Sequence, residues 1–242
     1  MNYPDVVSRQ QWQEKRRSFL KEEKEATRAQ DALNARRRRL PMTLMDRPYT
    51  FGSTRGELQF ADLFEGRPQL IIYHNMLAAG SDHVCPGCSY YCDHVGNLEH
   101  LHARRTTFAA VARATVPEIE RVKSRLGWSF PWYSCFGTTF HEDFVESEGE
   151  SFGLSVFIRW GNDIYQTYFT SGRGVEQPSN TFGFLDITPW GRQELWEDAP
   201  NGWPQEPAHT WRRVHDEYGS ETPIGSFRQA APTQVHTSKR AR

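Results

Sequence analysis

The chain has 242 residues, enough to bury a substantial core, and 29 Lys and Arg against 30 Asp and Glu leave a net charge of −1. That balance gives no electrostatic case for nucleic acid or an anionic membrane surface as partner. No apolar run approaches the roughly twenty residues of a membrane-spanning helix, and the opening MNYPDVVSRQQW lacks the apolar segment of a secretory leader.

Residues 8–39 read as one long helix. Ser8 and Gln11 fit a capping box, and neither Gly nor Pro interrupts the stretch before Pro41. Trp12, Phe19, Ala26, Leu33 and Leu40 fall seven residues apart, and Leu20, Ala29 and Ala32 widen that stripe. The expectation is that this seam packs along its own domain, with contact to a second subunit, and so a homodimer, as the alternative. Residues 1–40 carry 11 basic and 6 acidic side chains, a local excess of +5 that ends in Arg36 to Arg39. With no aromatic stacking platform nearby, that run reads as a solvated helix end favoured by the dipole.

Tyr49 to Phe51 and Leu58 to Phe60, around Gly-Ser-Thr-Arg-Gly, predict a hairpin leading into Ala61 to Phe64. Leu70 to Tyr73 is a short, β-branched and aromatic run, the pattern of a buried strand. After a polar loop come Cys85-Pro86-Gly87-Cys88 and a segment in which Cys88, Tyr91, Cys92, Val95 and Leu98 recur at helical spacing. Thr107 to Arg113 predicts another buried strand, and Pro117 to Leu126 a helix stopped by Gly127. Strand, helix, strand, helix implies parallel pairing through right-handed crossovers.

Trp128 to Phe136 is a dense aromatic loop or short strand, followed by a poorly patterned acidic stretch, Glu142 to Glu150. Leu154 to Trp160 and Ile164 to Phe169, joined by Gly161-Asn162-Asp163, predict an antiparallel hairpin. Thr181 to Arg192 reads as a loop or helix start and then an extended segment stopped at Pro189, and Trp211 to Tyr218 as a last short helix. From Gly219 onward the composition predicts a disordered tail.

The chemistry points to the cysteines. Four in a chain this long do not make a disulfide scaffold, and three clustered between 85 and 92 read as reduced thiols of a cytoplasmic protein. A strand, a loop, Cys-x-x-Cys and a helix is the layout of a thioredoxin-type redox site. Unpaired amides and the dipole at a helix N-terminus stabilise a thiolate placed there. Cys85, just outside the first turn, is assigned as the attacking thiolate and Cys88, inside it, as the resolving thiol. Pro86 suits a first helical position, and Gly87 lets the backbone turn tightly between the sulfurs.

Cys92 shares a helix face with Cys88 and reads as a core residue; Cys135 likewise reads as structural, unless its loop returns to the site as a second resolving thiol. His74 reads as a strand-end histidine, with stabilisation of the Cys85 thiolate as its functional alternative. Trp132 and Tyr133 read as packing and Arg113 as a surface ion pair. Cys85, Cys88 and Cys92 with His83 or His94 could instead hold zinc, or with Cys135 an iron–sulfur cluster, in a non-catalytic protein. The second Cys-x-x-Cys or Cys/His pair usual in structural zinc sites is missing. A peroxiredoxin-like thiol peroxidase is the third reading; such sites usually carry Thr three residues before the nucleophile, where Asp82 stands here.

Several blocks in the same order resemble the DUF899 group of thioredoxin-like proteins, usually described as dithiol-disulfide oxidoreductases. They are VVSRQQW, EKEATRAQDAL, ADLFEGRPQLIIYH, CPGCS, GWSFPWYSCFG, LSVF, LDITPWGR and HDEY. The resemblance runs from about Val7 to Tyr218 and implies an α/β, thioredoxin-like central sheet flanked by helices, with a long N-terminal helix and an added β-hairpin. It implies Cys85 and Cys88 as the redox pair and no other catalytic residue. Thioredoxin-like proteins usually carry a proline just before the strand facing the active site; here Glu150-Ser151-Phe152 precedes Gly153-Leu154-Ser155.

The expected organisation is a helical extension over 1–46, the thioredoxin-like domain over 47–218 and a tail over 219–242. The expected activity is thiol–disulfide exchange without a tightly bound cofactor or metal. Its partners would be a disulfide-containing small molecule or protein and an external thiol reductant.

Overall fold

The computed structural model describes residues 5–81, 83–145, 151–175, 178, 181–208 and 210–211. Among the described residues six α-helices and eight strands follow one another: α1 (Arg9–Arg37), β1 (Thr43–Leu44), β2 (Thr50–Ser53), β3 (Gly56–Gln59), β4 (Gln69–Ala78), α2 (Pro86–Asp93), α3 (Glu99–Ala103), β5 (Thr106–Arg113), α4 (Val116–Leu126), β6 (Trp132–Ser134), α5 (Phe140–Phe144), β7 (Gly153–Trp160), β8 (Asp163–Thr170) and α6 (Thr181–Asp186). The expected last helix at Trp211 to Tyr218 and the tail from Gly219 lie outside the described residues, apart from Trp211 itself.

All eight strands form one sheet in the order β1-β8-β7-β4-β5-β6-β2-β3. β4 pairs parallel to β5 and β5 parallel to β6, as the strand–helix alternation requires, whereas β7 and β8 pair antiparallel as a hairpin against β4. This is the thioredoxin-like α/β arrangement, extended by the β2–β3 hairpin at one edge and by β1 at the other.

Alternation along β4 splits the core. Ile71 and Tyr73 join one apolar cluster with Leu77, Cys88, Tyr91 and Cys92; Leu70 and Ile72 join another with Tyr133, Cys135, Phe140 and Phe144. Gly153 opens β7 where a side chain has no room. A Cβ there would meet the Phe169 ring at 2.7 Å and the Thr170 carbonyl oxygen at 3.1 Å. Gly153→Ala should therefore cost about 1–3 kcal/mol, read as a lower urea midpoint with an unchanged slope.

Three elements differ from the sequence reading. β4 runs ten residues to Ala78 rather than stopping at Tyr73, with a register irregularity between His74 and Ala78 that lets the polar continuation stay in the sheet. The cysteine helix ends at Asp93, and Gly96 falls in the break before α3, so Val95 and Leu98 leave the face shared by Cys88 and Cys92. The segment after α6 turns on itself instead of extending.

α1 begins at the expected capping box on Ser8 but does not lay its seam on the domain. Trp12 is 59% exposed and Phe19 54%, and Leu20, Leu33 and Leu40 are exposed too; Asn34 and Ala35 are the helix's buried residues. The helix instead docks through its last turn and the two residues beyond it. Arg37 donates to the Asp186 carbonyl, Arg38 pairs with Glu197 at 3.1 Å and Arg39 with Asp198 at 2.6 Å. The basic run is thus a latch onto the segment after α6 rather than a solvated end. Among the described residues, no helix is long and apolar enough to cross a membrane.

Candidate active site

β4 carries the chain to one end of the sheet, and α2 starts there with Pro86 at its first turn. Cys85 is the N-cap residue, half-buried, with its carbonyl accepting from Ser89 N at 2.9 Å. Its sulfur lies 3.8 Å from where a Cβ on Gly87 would stand, folded over the first turn of the helix. Cys88 sits in that turn and is only 1% exposed. The pair predicted from sequence is therefore brought together as a partly buried and a fully buried thiol, and all four cysteines are free thiols.

Burial pushes the Cys88 thiol up to about 11, and the neighbouring Cys85 adds to that rise. Two groups oppose it. The Met76 backbone N–H donates to the Cys88 sulfur at 3.5 Å, and the Tyr73 hydroxyl faces the same atom. Tyr73 is held flat against Tyr91, with ring centroids 4.1 Å apart, and burial raises its own phenol far above the ordinary value. One turn deeper, Asn75 donates to Cys92 at 3.6 Å, and burial drives the Cys92 thiol strongly upward. Cys92 is a core thiol, as expected, adjoining the pair from beneath.

Sequence reasoning passed over Tyr73, Asn75 and the Met76 amide. Two polar side chains at alternate positions, Tyr73 and Asn75 on one face of the strand, were the available signal; the amide has none, because the local register shift places it. Tyr73→Phe should slow alkylation of Cys88 at pH 9 by roughly tenfold or more, since a hydrogen bond to a charged group contributes about 1.5–3 kcal/mol. Rate measurement by mass spectrometry, in a Cys85→Ser background, would check this.

Other candidates fall elsewhere. His74 does not reach the dithiol. It faces the opposite side of the sheet, its Nε2 hydrogen-bonded to Ser155 Oγ at 2.8 Å and its ring against Phe140 and Phe144. The same alternation that turns Tyr73 towards Cys88 turns His74 away. Cys135 lies in that second cluster, its thiol directed to the Ala112 carbonyl, and is not a resolving thiol for Cys85. Trp132 and Tyr133 are buried packing residues, and Arg113 pairs with Glu142 at 3.2 Å. Phe152 packs against the same cluster as Cys85, at the place where a proline was sought. Asp82 lies outside the described residues. Among the described residues, no three His, Cys, Asp or Glu side chains are grouped so as to hold a metal ion.

Residues 1–218 match the family model described as bacterial protein of unknown function (DUF899). The chain belongs to the DUF899 family. No curated protein matches it. Among solved structures it is similar to peroxiredoxin Q of Xanthomonas campestris, at 14% identity over 57% of this chain and 92% of that one, with a TM-score of 0.39. It is similar to a cysteine-to-serine mutant of PrxQ from Xylella fastidiosa at 14% identity over 58% and 92%, again with a TM-score of 0.39. A hypothetical protein from Sinorhizobium meliloti 1021 shows 10% identity over 55% and 71%, with a TM-score of 0.33.

Proposed function

We propose that this DUF899 protein is a thiol–disulfide oxidoreductase of a reducing, cytoplasmic compartment, with Cys85 as nucleophile and Cys88 as resolving thiol. The observation that carries the reading is the asymmetry of the pair: a partly buried cysteine at a helix N-cap with a fully buried thiol in the first turn beneath it.

The Cys85 thiolate attacks one sulfur of a substrate disulfide. That S–S bond breaks, a mixed disulfide forms on Cys85, and the first product leaves as a thiolate. Cys88 then loses its proton, helped by the Met76 amide and the Tyr73 hydroxyl, and attacks the Cys85 sulfur. The Cys85–Cys88 disulfide forms and the second product thiolate departs, taking up a proton from solvent. An external thiol supplies the two electrons that return the pair to the dithiol. Burial of Cys88 keeps it from competing for the incoming substrate, so the order of events is built into the exposure of the two sulfurs.

Oxidised glutathione, a low-molecular-weight disulfide, serves as probe. Cys88→Ser should accumulate a stable one-to-one mixed disulfide on Cys85, detected by intact mass, while the parent chain releases both product thiols and ends as an intramolecular disulfide. Cys85→Ser should do neither. Adducts appearing on Cys92 or Cys135 in the Cys85→Ser chain, or equal reactivity of all variants, would remove the proposal.

A further inference from the structure

α1 leaves an apolar stripe without a cover. From Ser8 to Ala29 every residue of the helix and its cap is exposed, so along about 33 Å no face of it is packed on the domain. Trp12, Phe19 and Leu33 stand exposed on this stretch and just beyond it, and Ala26 continues their seven-residue line. A helix in a protein owes most of its stability to the packing of its apolar face. Exposed aromatic side chains in line along a free helix therefore call for a partner.

The charges beside the stripe say which partner. Lys15, Arg16 and Arg17 form a basic block before Phe19, and Glu22, Glu23 and Glu25, around Lys24, form an acidic one after it. Arg16 and Glu23 pair at 2.8 Å within the helix, which places both on one flank of the stripe, on either side of Phe19 in sequence. By the helical period, Lys15 and Glu22 fall on the other flank. A second copy laid antiparallel about a two-fold axis at Phe19 brings each flank against its own equivalent with the sequence reversed. Arg16 then stands opposite Glu23 of the second copy, and Lys15 opposite Glu22 of the second copy. Along the seam Trp12 meets Ala26 of the second copy, a large side chain against a small one, and the two Phe19 rings meet on the axis. A parallel pairing would instead set Lys15 against Lys15 and Glu22 against Glu22, which repel.

We propose that α1 is an arm through which two copies of this chain associate, antiparallel and two-fold symmetric, with Trp12, Phe19 and Ala26 at the centre of the contact. Such an interface is isologous, so every complementary contact occurs twice. The latch at Arg37 to Arg39 lies about 27 Å along the helix from Phe19, so the two domains sit at opposite ends of the paired arms without colliding. A partner of unrelated sequence would have to present an acidic and a basic block in reverse order; the helix already carries that match in itself. The inference rests on α1 alone, and its failure leaves the dithiol reading standing.

The test is sedimentation equilibrium of the full chain in excess reductant. The parent should pass from one chain to two with rising concentration, with a dissociation constant of about 1 μM, the weak end of protein interfaces. Phe19→Glu should raise that constant about a hundredfold or more, because the residue enters the interface twice. Its exposed position leaves the fold of the domain intact. Two charge variants, Lys15→Glu/Arg16→Glu and Glu22→Lys/Glu23→Lys, should each remain single chains and should pair with one another when mixed. A parent chain that stays single at about 100 μM would overturn the proposal. So would a dimer that Phe19→Glu leaves intact, or charge variants that associate alone as tightly as they do when mixed.

Discussion

Glu197→Ala should lower the unfolding temperature by roughly 6–12 °C. The expectation rests on the depth of the Arg38–Glu197 pair, whose side chains are 3% and 2% exposed. Removing one partner of a buried ion pair costs about 3–5 kcal/mol, because the remaining charge stays desolvated. Arg38 also donates to the Asp198 carbonyl at 3.3 and 3.1 Å, contacts that survive the substitution and hold the loss near 3 kcal/mol. For a domain of this size each kcal/mol shifts the midpoint by about 2–4 °C.

Arg38→Met should do less harm. A guanidinium cannot shed its charge, whereas a carboxyl can take up a proton. Burial already pushes the Glu197 carboxyl up, with Arg38 pulling it back down. Without Arg38 its folded value rises further above the unfolded one, so the folded state favours the protonated form. Stability is then greatest below the unfolded carboxyl value and is lost as pH rises through the folded one. The defect in Arg38→Met should therefore shrink at pH 5 and grow towards pH 8, whereas that of Glu197→Ala should not grow over the same interval, because the variant has lost the titrating carboxyl. Gly191 makes the same corner intolerant. With φ of 63°, it presents to Glu197 and Arg38 a place where a Cβ would stand 2.6 Å from the carboxylate and 2.9 Å from the guanidinium.

The second large effect is an acid-side loss of stability from His74. Burial lowers this imidazole to about 3, and the nearby His141, itself lowered chiefly by burial, adds to the effect. The folded state keeps His74 neutral while the unfolded chain protonates it near pH 6.5. A depressed folded value means the contribution is present above the unfolded value and is lost as pH falls towards the folded one. Between pH 6.5 and 5 that amounts to about 2 kcal/mol from His74 alone. Urea midpoints across this interval should fall steeply in the parent chain and more gently in His74→Gln. A parent chain with equal midpoints at pH 5 and 6.5 would show that the ring is solvated after all.

Much of this molecule is legible in the order of its residues. The capping box at Ser8 and the unbroken run to Arg37 specify α1, because both depend only on neighbours within four residues. Gly161 and its flanking alternation specify the β7–β8 hairpin for the same reason, and Pro86 after Cys85 specifies where α2 begins. The DUF899 blocks carry the sheet and the dithiol with them. Tertiary structure decided the rest. Period-two alternation says that Tyr73 and His74 point to opposite faces, but only the crossover from β4 through α2 and α3 to β5 fixes which face receives the cysteines. Arg38 and Glu197 are 159 residues apart, and no local pattern can announce that two charges so distant will be buried together.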